Sequence, residues 1–276
     1  MEEYDLIIDE KFLSERLGGV SLSSFRPESA DFERKTKTHP LRNGIITPKK
    51  KNRGRFKERK ITVKLNISVS NSEQFSLLRG DLFRLFKRKD PYYVGYTYEP
   101  NKRWLVVCDD TISVVQEEDK PWATVDITLT AIQGLSESLY NTSQNINLID
   151  NHWDIGMNVE LIDDPVYKFK NKNKFIVYNL GDETLDPMNF KYNVEMYLEG
   201  KDIIIANETN GTSVTLVGSQ SKKNKLSLFE HYVLNGSTIV TTKNGRFPPL
   251  EPGRNVFTIK NASYSDIRFI THFYYL

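Results

Sequence analysis

Hydrophobic and polar positions alternate most cleanly at Ile61, Val63, Leu65, Ile67 and Val69, with Thr62, Lys64, Asn66 and Ser68 between them. A period of two predicts a strand with one buried face. Ser70 and Glu73 then read as an S-x-x-E capping box. Phe75, Leu78, Leu82, Leu85 and Phe86 follow at helical spacing until Asp90-Pro91, which predicts one helix over 72–88. The pattern next returns to strands, at Tyr92–Tyr98, Trp104–Cys108, Ile112–Val115 and the alternating Ala123, Val125, Ile127, Leu129 and Ala131. Ahead of all these, the first 30 residues, with apolar Leu6, Ile7, Ile8, Phe12, Leu13 and Leu17, read as a short strand and a loop.

A Ser- and Asn-rich stretch within 134–172 breaks the rhythm, and the domain junction is placed there. The resulting domains are 1–140 and 150–276. From Phe175 onward only strands are predicted, at 175–178, 192–198, 202–206, 212–217, 225–234, 237–241, 255–260 and 267–275. Short strands with turn signals between them predict a β-sandwich. The fold class is therefore mainly β with one N-terminal helix: an α+β first domain, then a sandwich. Within the second domain, Pro248, Pro249 and Pro252 fix φ and withhold backbone donors, and Gly253 can take the positive φ of a sharp reversal. Val256, Phe257 and Ile259 carry the following strand into a core.

Residues 33–60 are polar, basic and turn-rich, with His39-Pro40, Asn43-Gly44 and Thr47-Pro48. Asn43-Gly44 is a two-residue hairpin signal, so this region is expected to be an extended hairpin or arm. It holds a basic run of Lys49, Lys50, Lys51, Arg53, Arg55, Lys57, Arg59 and Lys60, opposed only by Glu58. Clustered cations suit a phosphate backbone, a neighbouring subunit or channel, or plain solvation. Only Phe56 interleaves for base stacking. The candidate oligomer-interface or channel residues are Asn43, Gly44, Lys49, Lys50, Lys51, Arg53, Arg55, Lys57 and Arg59.

Composition adds few constraints. At 276 residues, with 38% hydrophobic and 27% charged residues and a net charge of +2, the chain reads as globular with no strong global field. Its 15 Phe and 14 Tyr fit a β-rich protein. Met1, Glu2, Glu3 and Asp5 are unlike the basic start of a signal peptide, and no apolar run matches a bilayer span, so synthesis in the cytoplasm without a membrane partner is expected. Cys108 is the single cysteine and falls in an apolar run, as an inert buried thiol would. His39, His152, His231 and His272 are widely separated, without metal-ligand spacing. Asp109-Asp110, Glu117-Glu118 and Asp163-Asp164 are adjacent pairs, whose side chains diverge on a strand. No phosphate-binding glycine loop occurs. No catalytic residue, metal or cofactor is expected, and the chain is read as a non-enzyme.

Two turn patterns carry a family resemblance. One is Phe175-Ile176-Val177-Tyr178-Asn179-Leu180-Gly181-Asp182-Glu183-Thr184-Leu185-Asp186-Pro187, and the other is the Phe247–Ile259 segment with its Pro252-Gly253-Arg254-Asn255 turn. Together they resemble the C-terminal domain of phage distal tail proteins from siphophages of Gram-positive hosts. The first half, with its basic hairpin, alternating strand and helix, is compatible with that family's first domain. The resemblance implies a homohexameric ring, sometimes two stacked rings, formed by the N-terminal domains around a channel through which nucleic acid passes. It implies galectin-like C-terminal sandwiches that project outward. It implies a virion tail-tip protein that joins the tail tube to the tail-associated lysin or hub and to receptor-binding or baseplate proteins. A carbohydrate-binding module for host cell-wall glycan is the alternative. Galectin-type sugar binding lacks its motif: Trp104, Trp122 and Trp153 precede the sandwich strands, and His231 is followed by Tyr232, Val233 and Leu234.

Overall fold

The computed structural model describes residues 4–47, 54–116, 120–147, 149, 152–154, 156–159 and 165–276. The chain divides into two compact units, 1–137 with Leu276, and 138–275.

The first unit runs β1 (Leu6–Ile8), β2 (Lys11–Phe12), α1 (Leu13–Arg16), β3 (Val20–Pro27), β4 (Phe32–Arg34), β5 (Gly54–Phe56), β6 (Arg59–Ser68), α2 (Ser72–Phe86), β7 (Tyr92–Tyr96), β8 (Lys102–Val107) and β9 (Trp122–Ala131), with β10 (Ser136–Ser138) at the division. Its main sheet has the order β2-β1-β7-β8-β9-β6-β3. The sheet rolls so that β3 returns toward β1: the Phe25 N–H on β3 donates to the Tyr4 hydroxyl (3.0 Å) just before β1. The Phe25 ring also stacks on Tyr96 of β7 at 4.7 Å between centroids. Phe75, Leu78, Leu82 and Phe86 of α2 complete this core, along with Ile61, Val63, Leu65 and Ile67 of β6.

The helix starts one residue later than the expected capping box implies. Asn71 is the N-cap and its side-chain oxygen accepts from Gln74 N (2.9 Å), while Gln74 Oε1 accepts from Ser70 N (3.2 Å). Asn caps about as well as Ser, and a Gln three residues later can serve in place of Glu73. β3 lies within the region read as a short strand and loop. Its register shifts between Leu22 and Ser24, and that irregularity breaks the alternation that would have revealed it. The turn at α1 was not expected either. Ile112–Val115 is irregular chain whose Ile112 and Val114 still pack into the core.

The second unit contains β11 (Lys168–Lys170), β12 (Lys174–Asn179), β13 (Tyr192–Asn207), β14 (Thr212–Gln220), β15 (Leu226–Phe229), β16 (Tyr232–Asn235), β17 (Thr238–Ile239), β18 (Thr242–Lys243), β19 (Gly253–Thr271) and β20 (Tyr274–Tyr275). Four strands predicted as separate pieces are two long ones, β13 and β19, paired antiparallel with register shifts around Gly200. One half of this ribbon pairs with β12 and β14, and the other with β11 and β15. The bend places the halves face to face as a sandwich: Phe175 of β12 stacks on Phe169 of β11 at 4.2 Å, and Phe257 meets Phe269 of the same long strand at 5.3 Å. The stretch predicted as one strand over 225–234 is a hairpin, reversed at Glu230, whose φ is +50°.

The two turn patterns of this unit meet. Asn179 Nδ2 donates to the carbonyls of Glu183 (2.8 Å) and Leu250 (3.1 Å), and Leu185 and Leu250 exchange backbone bonds. Gly253 has φ +80°, the left-handed value its turn requires. Asn255 is fully buried and uses its whole amide: it donates to the carbonyls of Glu251 (2.7 Å) and Gly253 (3.0 Å), and accepts from Glu251 N (2.9 Å) and Asn207 Nδ2 (3.0 Å). Replacing Asn255 by Ala strands several buried partners at once. Asn255→Ala is expected to cost about 2–4 kcal/mol, read as a lower urea midpoint at unchanged m-value. The exposed neighbour change Arg254→Ala should stay within about 0.5 kcal/mol.

Candidate assembly surface

The arm expected over 33–60 is a two-stranded ribbon outside the main sheet. β4 and β5 run antiparallel, with Phe32 opposite Phe56, Glu33 opposite Arg55 and Arg34 opposite Gly54. The pairing of Lys37 with Ile46 extends it. The Phe32 and Phe56 rings meet edge-on at 4.9 Å, and the Arg34 guanidinium lies 5.2 Å from the Phe32 centroid. A Cβ on Gly54 would fall 2.1 Å from the Phe32 ring, so glycine is what lets that ring lie across the opposite strand. Apart from this small cluster the described residues of the ribbon form no core. Every residue from 31 to 45 is exposed, and Leu41 is 93% and Ile45 60% accessible. Two strands without a packed face are marginal in water.

The candidate interface residues separate into groups. Asn43 and Gly44 sit in the exposed tip region, with Gly44 at φ +78°. Arg55 is exposed, and its Nε donates to Glu33 Oε2 at 2.7 Å. This hydrogen bond and its charge hold the Glu33 carboxyl below its usual value and push Arg55 above its own. Lys57 Nζ stands 3.9 Å from Asp31, and its backbone N–H donates to the Asp31 carbonyl. Lys49, Lys50, Lys51 and Arg53 lie outside the described residues. The described cations at 55 and 57 thus face carboxylates of the opposite strand, which dilutes the positive field that a phosphate backbone would meet.

Arg59 differs from the rest of the run. It is 5% exposed, opposite Ala131 of β9, and its Nε has no acceptor among the described residues. Burial alone pulls its guanidinium below the usual value. The alternation Ile61, Val63, Leu65, Ile67 extended one step back would have placed position 59 on the buried face.

The remaining chemical candidates do not converge. His39 Nδ1 accepts from Leu41 N, His231 Nδ1 lies against Met188 Sδ, and His272 Nδ1 lies 2.8 Å from the Ser138 carbonyl. Cys108 is buried, and burial raises its thiol. Glu117-Glu118 and Asp163-Asp164 lie outside the described residues. Among the described residues no group of three or more His, Cys, Asp or Glu could hold a metal ion, and no helix is long and apolar enough to cross a membrane. Trp104 and Trp153 are buried and Trp122 is half exposed on β9 of the first unit.

Comparison with known proteins places this geometry. No curated protein sequence matches the chain. A solved structure of the phage p2 baseplate in its activated conformation with Sr matches at 12% identity over 97% of both chains, with a TM-score of 0.42, too low to bear on the fold. The crystal structure of the Dit (gp 19.1) protein of phage SPP1, described as a paradigm of the hub adsorption apparatus in Gram-positive-infecting phages, matches at 10% identity with a TM-score of 0.68, covering 98% of this chain and 99% of that one. Residues 19–131 match the phage tail protein RIFT-related domain. Residues 19–131 in the first unit are thus similar to the phage tail protein RIFT-related domain, and the chain shares, over nearly its whole length, the fold of the SPP1 Dit protein.

Proposed function

We propose that this protein is a structural hub of a siphophage tail tip, a non-enzymatic adaptor that closes into a homohexameric ring. The supporting observation is the coreless ribbon on the unit that carries the tail-protein domain. Beyond their pairing with the opposite strand, residues 31–45 are exposed and pack on no core among the described residues, so their order is best supplied by another chain. In this reading the first unit builds the ring, and the ribbon reaches onto the neighbouring subunit or into the lumen through which nucleic acid passes. The second unit, read as galectin-like, holds receptor-binding or baseplate proteins. The ring joins the tail tube to the tail-associated lysin or hub, in the virion at the tail tip, after synthesis in the host cytoplasm. Two rings stacked back to back are compatible with it.

A closed hexamer of this 32.0 kDa chain has a mass of about 192 kDa. Light scattering of the purified protein at micromolar concentration should give that mass or its double, and a stable monomer would overturn the ring. Deleting 40–56 should abolish the oligomer and leave each unit's cooperative unfolding in place. An intact oligomer after the deletion would remove the arm from the assembly.

A second reading has one observation in its favour. Phe229 and Tyr232, paired across the β15–β16 hairpin, are 61% and 41% exposed, and His231 stacks on Tyr232 at 3.9 Å. Exposed rings of this kind can stack on a sugar. A host cell-wall pull-down should then retain the protein and lose the Phe229→Ala/Tyr232→Ala double variant. Equal retention of both would dismiss glycan binding at this hairpin.

A further inference from the structure

The chain holds four Asn-Gly pairs: Asn43-Gly44, Asn210-Gly211, Asn235-Gly236 and Asn244-Gly245. An asparagine followed by glycine can modify itself. The glycine nitrogen, unshielded by any side chain, attacks the asparagine Cγ, and the side-chain nitrogen leaves as ammonia. Water then opens the five-membered imide to an aspartate or an isoaspartate. The attack needs an untied side-chain amide, an untied glycine N–H and a backbone free to turn until the two meet.

The structure withholds these freedoms at three of the pairs. Asn210 donates from Nδ2 to the Pro249 carbonyl (3.1 Å) and accepts at Oδ1 from Thr212 N (3.1 Å) and Oγ1 (2.6 Å). Gly211 N donates to the Asn207 carbonyl (3.0 Å), so the attacking group of that pair is tied as well. Asn244 Nδ2 donates to Thr215 Oγ1 (3.1 Å). Asn235 ends β16 and is held in register opposite Leu226 of β15 and Thr238 of β17, which fixes its backbone from both sides.

Asn43 has none of these ties. Asn43 and Gly44 are exposed, and neither makes a hydrogen bond to a described residue. A Cβ on Gly44 would meet nothing within 4 Å, so the space around its nitrogen is open. The formally charged side chains from 34 to 47 are Arg34, Lys35, Lys37 and Arg42, all cations. Positive surroundings favour both the deprotonated nitrogen that attacks and the carboxylate that results.

We propose that Asn43 is a self-modification site, which converts an amide at the ribbon tip into a carboxylate with water as the co-reactant. The product places a negative charge among these cations, and its isoaspartyl form lengthens the backbone by one carbon at the turn.

The test incubates the full chain and its Asn43→Gln variant for days in warm, mildly alkaline buffer. Peptides are then mapped by mass after pepsin digestion in acid, and isoaspartate is labelled with an isoaspartyl methyltransferase. Conversion at Asn43 in the native chain should run about tenfold or more ahead of Asn210, whose hydrogen bonds must open first. It should quicken as pH rises, because the attacking nitrogen must lose its proton. In urea the four pairs should convert at similar rates, since no fold then distinguishes them. Asn43→Gln should lose the label at the tip, because its longer side chain closes a six-membered ring slowly, and should keep the parent's thermal midpoint. Light-scattering mass on the same samples judges the ring separately: a ring whose Asn43 keeps its amide would uphold the assembly reading and overturn this one. Equal conversion of the four pairs in the native chain would overturn it too.

Discussion

The second unit depends on one accounting problem, which is how to satisfy the carbonyls of a proline-rich turn buried beside its core. Pro248, Pro249 and Pro252 give no N–H to a ladder, yet Phe247 and Leu250 are buried, so the chain cannot turn to solvent for its hydrogen bonds. Side chains make up the difference. The Pro248 carbonyl accepts from the Tyr192 hydroxyl, Pro249 from the amides of Asn207 and Asn210, Leu250 from Asn179, and Glu251 from Asn255. Asn179, Asn207 and Asn255 are almost wholly buried for this purpose. They tie the ends of β12 and β13 and the start of β19 into one knot, from which the bent ribbon of the two long strands runs.

The first unit meets the opposite condition. Its rolled sheet and α2 form a continuous apolar core, and the ribbon leaves that core with the Phe32–Phe56 contact as its apolar cluster among the described residues. Local ion pairs such as Arg55 with Glu33 are exposed and add little to stability. At the root of the same ribbon, Arg59 turns inward instead, and Phe56 and Pro27 border the cavity it lines.

Much of this was legible from pattern alone. The strand at Arg59–Ser68, the helix at Ser72–Phe86 and the strand at Trp122–Ala131 follow from period-two and helical spacing, because each buries one uninterrupted face. The positive φ of Gly253 follows from its place after Pro252. β3 was hidden because a register shift interrupts its alternation. The continuity of β13 and of β19 was hidden because Gly200 and Asn261, each at positive φ, look like strand ends while the chain continues its ladder beyond them. The basic run misled at one position: charge drew attention to Arg59 as a surface cation, whereas the alternation it begins puts it inside.

The sequence by itself determined the periodicity of most elements and the turn chemistry, since these depend on neighbours a few positions apart. Only the tertiary structure decided that the two turn patterns are a single hydrogen-bonded knot, that the basic arm is a ribbon without a core, and that one of its arginines lies buried beside a cavity. Those outcomes rest on contacts between residues as distant as Asn179 and Leu250, or Tyr4 and Phe25. Long-range contacts are selected by which faces can be buried together, and no local pattern records that choice.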